Sequence, residues 1–163
     1  MRASFVEAMG ELQAEGRGQE HDNSMVGREI RDGRWRTPEG FEAFAGDLRA
    51  EAVTAPSGFV RHTTWWWCEG TTYLGRIDVR HELTDRLREK GGHIGYDVRP
   101  TARRLGHGTA MLAAALPKAR ELGLDRVLIT CDEDNRASRW IIEANGGELE
   151  FAGDGIRRYW VAT

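Results

Sequence analysis

Residues 99–112 read RPTARRLGHGTAML. Pro100 stops a strand-like stretch at 93–99 (HIGYDVR). Glycines at 106 and 108 then precede an alanine- and leucine-rich segment. Leu105, Leu112, Ala115, Leu116, Ala119 and Leu122 recur at helical spacing and predict a helix closed by Gly123. Pro117 inside it removes one backbone hydrogen bond and predicts a kink. A strand, a basic glycine loop and a helix outline an anion site. The first amides of a helix lack internal acceptors and the helix dipole places positive charge there. Gly106 and Gly108 allow close approach to the backbone, and Arg103 and Arg104 add charge, which suits phosphate or pyrophosphate. The same spelling also fits a tight turn with solvated arginines, and a short motif alone does not decide. It is neither a GxxxxGK[ST] loop nor a GxGxxG loop opening the chain's first βα unit.

Outward from this loop, β-formers at 59–67 (FVRHTTWWW) and 72–81 (TYLGRIDVRH) predict a hairpin. Residues 82–92 are charged, end in Gly91-Gly92 and predict a loop with a short helical turn. Residues 126–131 (RVLITC) predict an apolar central strand, 135–144 a helix, and 148–152 with 156–162 a closing hairpin around Gly153-Asp154-Gly155. Toward the N-terminus, Ser4-Phe5-Val6-Glu7 has the form of a capping box and predicts a helix to about Glu15. Residues 16–36 predict a long polar loop. Thr37-Pro38-Glu39 starts a second helix with Phe41, Phe44, Ala45 and Leu48 on one face. The order α-α-β-β-β-α-β-α-β-β predicts an α/β (α+β) fold, a mixed central sheet with helices on its faces.

The 163 residues predict one domain with a sizeable core. A formal charge of −3 argues against a general nucleic-acid binder. The only lysines are Lys90 and Lys118. No apolar run approaches the roughly 20 residues that span a bilayer, and MRASFVEAMGELQAEGR lacks a secretory pattern, so a cytoplasmic protein without a membrane partner is expected. Cys68 and Cys131 suggest no disulfide framework. His21, His62, His81, His93 and His107 show no metal-ligand spacing, so no metal is expected. In Trp65-Trp66-Trp67, 65 and 67 face one side and 66 the other, as in a strand buried on both faces. Cys131 ends an apolar strand with no evident base and reads as a buried inert thiol.

RRLGHG resembles the Arg/Gln-x-x-Gly-x-Gly/Ala signature of the GNAT superfamily of N-acetyltransferases. The resemblance runs from about Leu74 to Leu149. It takes in Val98-Arg99-Pro100 before the signature, ARELGLDRVLIT at the end of the following helix, and DNRASRWIIEANGG, similar to that family's asparagine-led helix. Arg80-His81 and residues 91–96 are similar to a bacterial subgroup of uncharacterised acetyltransferases with an RH…GGHIGY…RP stretch. The resemblance implies the GNAT fold. Its N-terminal strand would here be very short or missing, because the first helix starts almost at once.

Acetyl-CoA is the implied cosubstrate. Its pyrophosphate would rest on the amides of Arg104, Leu105, Gly106, His107, Gly108 and Thr109, with Arg103 as charge partner. Its pantetheine arm would add to the backbone of Asp97, Val98 and Arg99 where strands 93–99 and 126–131 splay, and Asn135 and Ser138 would support it. Acetyl transfer needs a deprotonated amine, and an amine of pKa near ~10.4 is mostly protonated at neutral pH. It also needs an oxyanion donor, by analogy the Val98 N–H, and modest acid help for a thiolate of pKa roughly 8.5. The family's tyrosine seven residues after the asparagine is Ile142 here, leaving Tyr96, Tyr159 and Ser138 as acid candidates. The glutamate five residues before it, frequent in enzymes that acetylate protein N-termini, is Thr130. His93, Asp97, His81 and Asp132 are the candidate bases. His93 comes first, because it shares a strand with Val98 and titrates near neutrality. The arginine-rich segment 17–36 fits either a substrate lid or a solvated loop. The implied activity is direct transfer of acetyl to a primary amine of a small molecule in a ternary complex. A peptide or protein amine and a non-catalytic acyl-CoA sensor are the alternatives, and a homodimer is compatible with the family.

Overall fold

The computed structural model describes residues 1–163. In chain order the elements are α1 (Arg2–Ala14), α2 (Met25–Asp32), α3 (Pro38–Ala50), β1 (His62–Glu69), β2 (Thr72–Arg80), α4 (Asp85–Glu89), β3 (Ile94–Val98), α5 (His107–Glu121), β4 (Arg126–Asp132), α6 (Arg136–Ala144), β5 (Glu148–Gly153) and β6 (Ile156–Ala162). The expected sheet takes the form of two antiparallel three-stranded sheets, ordered β1-β2-β3 and β4-β6-β5. They meet where the His93 N–H donates to the Leu128 carbonyl at 2.7 Å, and the Gly91 N–H donates to Thr130 Oγ1 at 2.9 Å. Past that junction no backbone bond joins Ile94–Val98 to β4, so this edge of β3 is open.

Two apolar clusters cover opposite faces. One joins α1, α2 and α3 to Tyr73, and Trp66 packs against it. The other joins α5 and α6 to both sheets, with Trp65 and Trp67 against it. The alternation expected for the tryptophans therefore holds, and β1 is packed on both faces. Phe5 is fully buried and lies 5.1 Å from Trp66 and 5.0 Å from Tyr73 between ring centroids. Burying such a side chain stabilises by roughly 1.5–3 kcal/mol.

Two N-terminal expectations change. Ser4 is not a cap: α1 begins at Arg2, and the Ser4 hydroxyl accepts from the Tyr73 N–H at 3.0 Å and from Arg99 Nη1 at 3.0 Å. The hydroxyl is worth more as a tie between helix and sheet than as a local cap. Residues 16–36 are not a bare loop. They contain α2, whose N-cap Ser24 accepts from the Gly27 N–H and whose C-cap Gly33 is left-handed at φ 65°. Thr37 caps α3 as expected, accepting from the Gly40 N–H at 3.1 Å. Pro117 sits inside α5, which continues to Glu121. No helix is long and apolar enough to cross a membrane.

Candidate active site

The loop between β3 and α5 leaves backbone donors free. The amides of Arg104, Leu105, Gly106, His107, Gly108 and Thr109 meet no protein acceptor, and the first paired amide is Ala110, which donates to Gly106 O at 3.1 Å. Arg104 and Gly106 both have positive φ, 62° and 85°, which curls this run of amides at the helix start. Gly106 is needed for that backbone angle. At Gly108 a Cβ would lie 2.6 Å from Ile141 Cδ1 on α6, so a larger residue there would have to displace that side chain. Trp67 Nε1 donates to His107 Nδ1 at 3.2 Å and ties this helix end to β1.

The arginines divide their roles. Arg103 is held to Glu15 at 2.8 Å and to the Val98 carbonyl at 3.2 Å. Arg99 is bound by Glu11 at 2.6 Å, Glu7 and Ser4, so its side chain anchors α1 and only its backbone belongs to the site. Arg104 is exposed and makes no ion pair.

At the open edge, the Arg99 N–H donates to Leu74 O at 2.8 Å. Alternate residues of an antiparallel pair bond the neighbouring strand, so the Val98 N–H points the other way, toward the gap. Tyr96 and Val98 pack on the α5–α6 side. The Tyr96 hydroxyl reaches the Ser138 carbonyl at 3.4 Å, and burial pushes its pKa well above the tyrosine range, so it keeps its proton. Asn135 caps α6, its Oδ1 accepting from the Ser138 N–H at 3.0 Å. Tyr159 is turned away and donates to Glu143 at 3.1 Å. Burial raises the Cys131 thiol above its ordinary range, in keeping with an inert role.

His93 requires a correction. It lies at the junction of the sheets, not at the open edge, and is 6% exposed. Its ring Nδ1 accepts from the Leu128 N–H at 2.8 Å while its backbone N–H donates to Leu128 O. A ring nitrogen committed to that bond is not free to take a substrate proton. Burial, aided by Arg88 and Arg80, pulls its pKa from the usual histidine range to about 4. The unfolded chain takes up this proton near pH ~6.5. Between pH 6.5 and about 4 the unfolded state therefore binds more protons. The contribution is complete above pH ~6.5 and is lost toward pH 4, by up to about 3 kcal/mol. His93→Gln keeps an acceptor for the Leu128 amide but does not titrate. Urea titrations across that window should show a flatter pH dependence in the variant, and an unchanged slope would refute the neutral latch.

On the α1–α3 side a polar groove of about 1110 Å³ runs between α2, α3, α4 and the ends of β1 and β2. Beneath it Arg76, fully buried on β2, donates from Nε and Nη2 to Asp78 and from Nη1 to Glu29. Thr64 Oγ1 adds a 2.6 Å bond to Asp78. Glu29 lines the groove from α2. Burial raises its pKa, Arg76 opposes, and Asp78 and Asp97 reinforce the rise. Asp97, opposite Arg76 in the β2–β3 register, is held by Arg17 at 3.0 Å. The charged segment 17–36 is thus ordered across the site.

Comparison with known proteins identifies the family and the fold. A family model described as an acetyltransferase (GNAT) domain matches residues 23–148, and the chain belongs to the GNAT acetyltransferase family. Its fold is similar to that of Mycobacterium smegmatis RimJ in complex with CoA-disulfide, at 18% identity and TM-score 0.68, over 99% of this chain and 77% of that one. It is similar to the microcin C7 self immunity acetyltransferase MccE in complex with acetyl-CoA and AMP, at 12% identity and TM-score 0.64, over 99% and 87%. It is also similar to RimL, a ribosomal L7/L12 alpha-N-protein acetyltransferase, at 15% identity and TM-score 0.61, over 99% and 84%. No curated protein matches the sequence. The chain is accordingly an acetyl-CoA-dependent N-acetyltransferase by family.

Proposed function

We propose that the chain acetylates a primary amine of a small molecule by direct transfer from acetyl-CoA. The observation that carries this reading is the run of unpaired amides at 104–109 beside the open β3 edge. Unpaired amides at a helix start suit a pyrophosphate, and the free edge suits an amide-bearing pantetheine arm. Arg103 and Arg104 supply charge, and Asn135 and Ser138 flank the arm from α6. The Val98 N–H is the oxyanion donor and Tyr96 the acid that protonates the departing thiolate. Glu29, on the opposite side of β3, replaces His93 as the group that takes the amine's proton, directly or through water. The amine nitrogen then bonds the acetyl carbon as the carbon–sulfur bond breaks.

A small acceptor is favoured because the groove is walled by helices on several sides and is close to the ~300–1,000 Å³ of small-molecule sites. A protein amine, as RimL's name describes, is the rival acceptor.

Calorimetric titration with acetyl-CoA tests the first half of this reading. Saturation near one per chain is expected. Gly106→Val, which forces a branched residue into φ 85°, should weaken affinity by about tenfold or more. Undetectable binding by a folded sample would remove the assignment of the loop.

A further inference from the structure

The groove's charges can be paired off almost completely. Arg17 is matched by Asp22 and Asp97, Arg34 by Asp32 and Asp47, Lys90 by Asp132, and His62 by Glu51. Glu29, the remaining carboxylate of the lining, is taken by Arg76 from below. Arg28, Arg80 and Arg86 are left over, and all three line the groove.

None of these three guanidinium groups makes a salt bridge. Arg28 donates to Asn23 O and lies over the exposed Phe59 ring, 4.7 Å from its centroid. Arg80 donates to the carbonyls of Gly91 and Gly92, each at 3.0 Å, and more weakly to Met25 Sδ at 3.9 Å. Arg86, on α4, is exposed, and its guanidinium makes no hydrogen bond to the protein. Burial lowers Arg28. Glu29 opposes this, while Arg31, Arg76 and Arg86 reinforce it. Burial also lowers Arg80. Asp78 opposes, while Arg28 and Arg76 reinforce. Like charges that feel one another, with the carboxylates that line the groove already taken, leave unspent attraction for an anion. Two planar forks held by backbone carbonyls, one of them also stacked on a ring, are prepared for the flat or tetrahedral oxygens of a carboxylate or phosphate.

We propose that Arg28, Arg80 and Arg86 form an anion-binding subsite in the acceptor groove, so that the preferred acceptor is a small amine that also carries a carboxylate or phosphate. The proposal rests on the reading of this groove as the acceptor side of the acetyltransferase. In the bound state the anion would neutralise the cluster at the outer part of the groove, leaving the amine to reach the Glu29–Asp97 side.

Two measurements separate the failure of this proposal from the failure of that reading. The first uses protein saturated with CoA and titrated with inorganic phosphate, then acetate, following the resonances of the groove. Saturable shifts are expected. In an Arg28→Ala/Arg86→Ala variant the anion affinity should fall by about 10–100-fold, with CoA affinity unchanged. Phosphate shifting the spectra more than acetate, or the reverse, tells which anion the cluster suits.

The second measures CoA release with matched acceptors: 2-aminoethyl phosphate against ethanolamine, and β-alanine against β-alaninamide. An anionic member should exceed its neutral partner in kcat/KM by about 10–100-fold, and the preference should vanish in the double variant. Phosphate or acetate binding that the double variant retains in full would overturn the proposal. So would equal turnover of charged and neutral acceptors, or turnover confined to neutral peptide N-termini. Anion binding that depends on the two arginines in a protein that acetylates nothing would leave the subsite standing and sink the catalytic reading instead.

Discussion

Replacing Arg76 with methionine should destabilise the fold by about 3–5 kcal/mol, because it strands buried carboxylates rather than merely losing contacts. Arg76 is fully buried, Asp78 is 2% exposed in its side chain, and Glu29 is 13% exposed. One guanidinium serves both, with donors to each carboxylate and a third partner in Thr64 holding Asp78 in place. Methionine matches much of the volume but leaves two carboxylates, one of them almost fully buried, without a cation between them. Arg76→Lys should lose less, since a charge remains, but a single ammonium cannot fork to both partners. The opposite design sharpens the test. Replacing Arg76, Asp78 and Glu29 together with apolar residues removes the desolvation cost along with the attraction and should come closer to neutral than Arg76→Met alone. Urea denaturation of the three variants measures this. A loss below about 1 kcal/mol for Arg76→Met would show that the carboxylates are neutralised by protons or water rather than by the arginine.

This network is only partly legible in the sequence. Arg76, Asp78 and Arg80 alternate with Ile77 and Val79, a polar stripe at strand period on the face that meets α2. The stripe is visible in the sequence, but its partner Glu29 lies in a segment whose composition predicts a polar loop. That segment has only a short apolar signal, Val26 and Ile30, because α2 is anchored by charge as much as by burial. Ser24 and Gly33 are ordinary helix signals and would have located it. The turn and helix start at the glycine loop, by contrast, are legible because they are local. Amides freed by a helix start, a positive φ at Gly106 and a proline stop need no distant partner. His93 failed for the converse reason. Strand membership placed it near Val98 in sequence, but only the junction with β4 decides which end of the strand is open, and that is a tertiary fact. The Ser-x-x-Glu pattern at Ser4 misled in the same way: Tyr73 and Arg99, far along the chain, take the hydroxyl.

Glu29→Gln should lower kcat by about 10²–10⁴-fold while leaving acetyl-CoA affinity unchanged, if this carboxylate accepts the amine's proton. The amide keeps the shape and can still receive a hydrogen bond from Arg76, so the network below persists in part. The pH dependence carries the argument. Burial raises the Glu29 pKa against the pull of Arg76, so the carboxylate charges later than an ordinary glutamate as pH rises. Activity should therefore fall on the acid side through a limb that lies above the usual glutamate value of about 4.3. Glutamine has no proton to lose, and in the variant that limb should be replaced by a steady rise with pH, as free amine or hydroxide takes over. Tyr96→Phe supplies the contrast. A thiolate of pKa roughly 8.5 leaves readily, so loss of the acid should cost only about tenfold and should leave the acid limb in place. A Glu29→Gln enzyme within threefold of the parent would return the carboxylate to a structural role beside Arg76 and shift the search for the base to Asp97, which Arg17 holds at the same face.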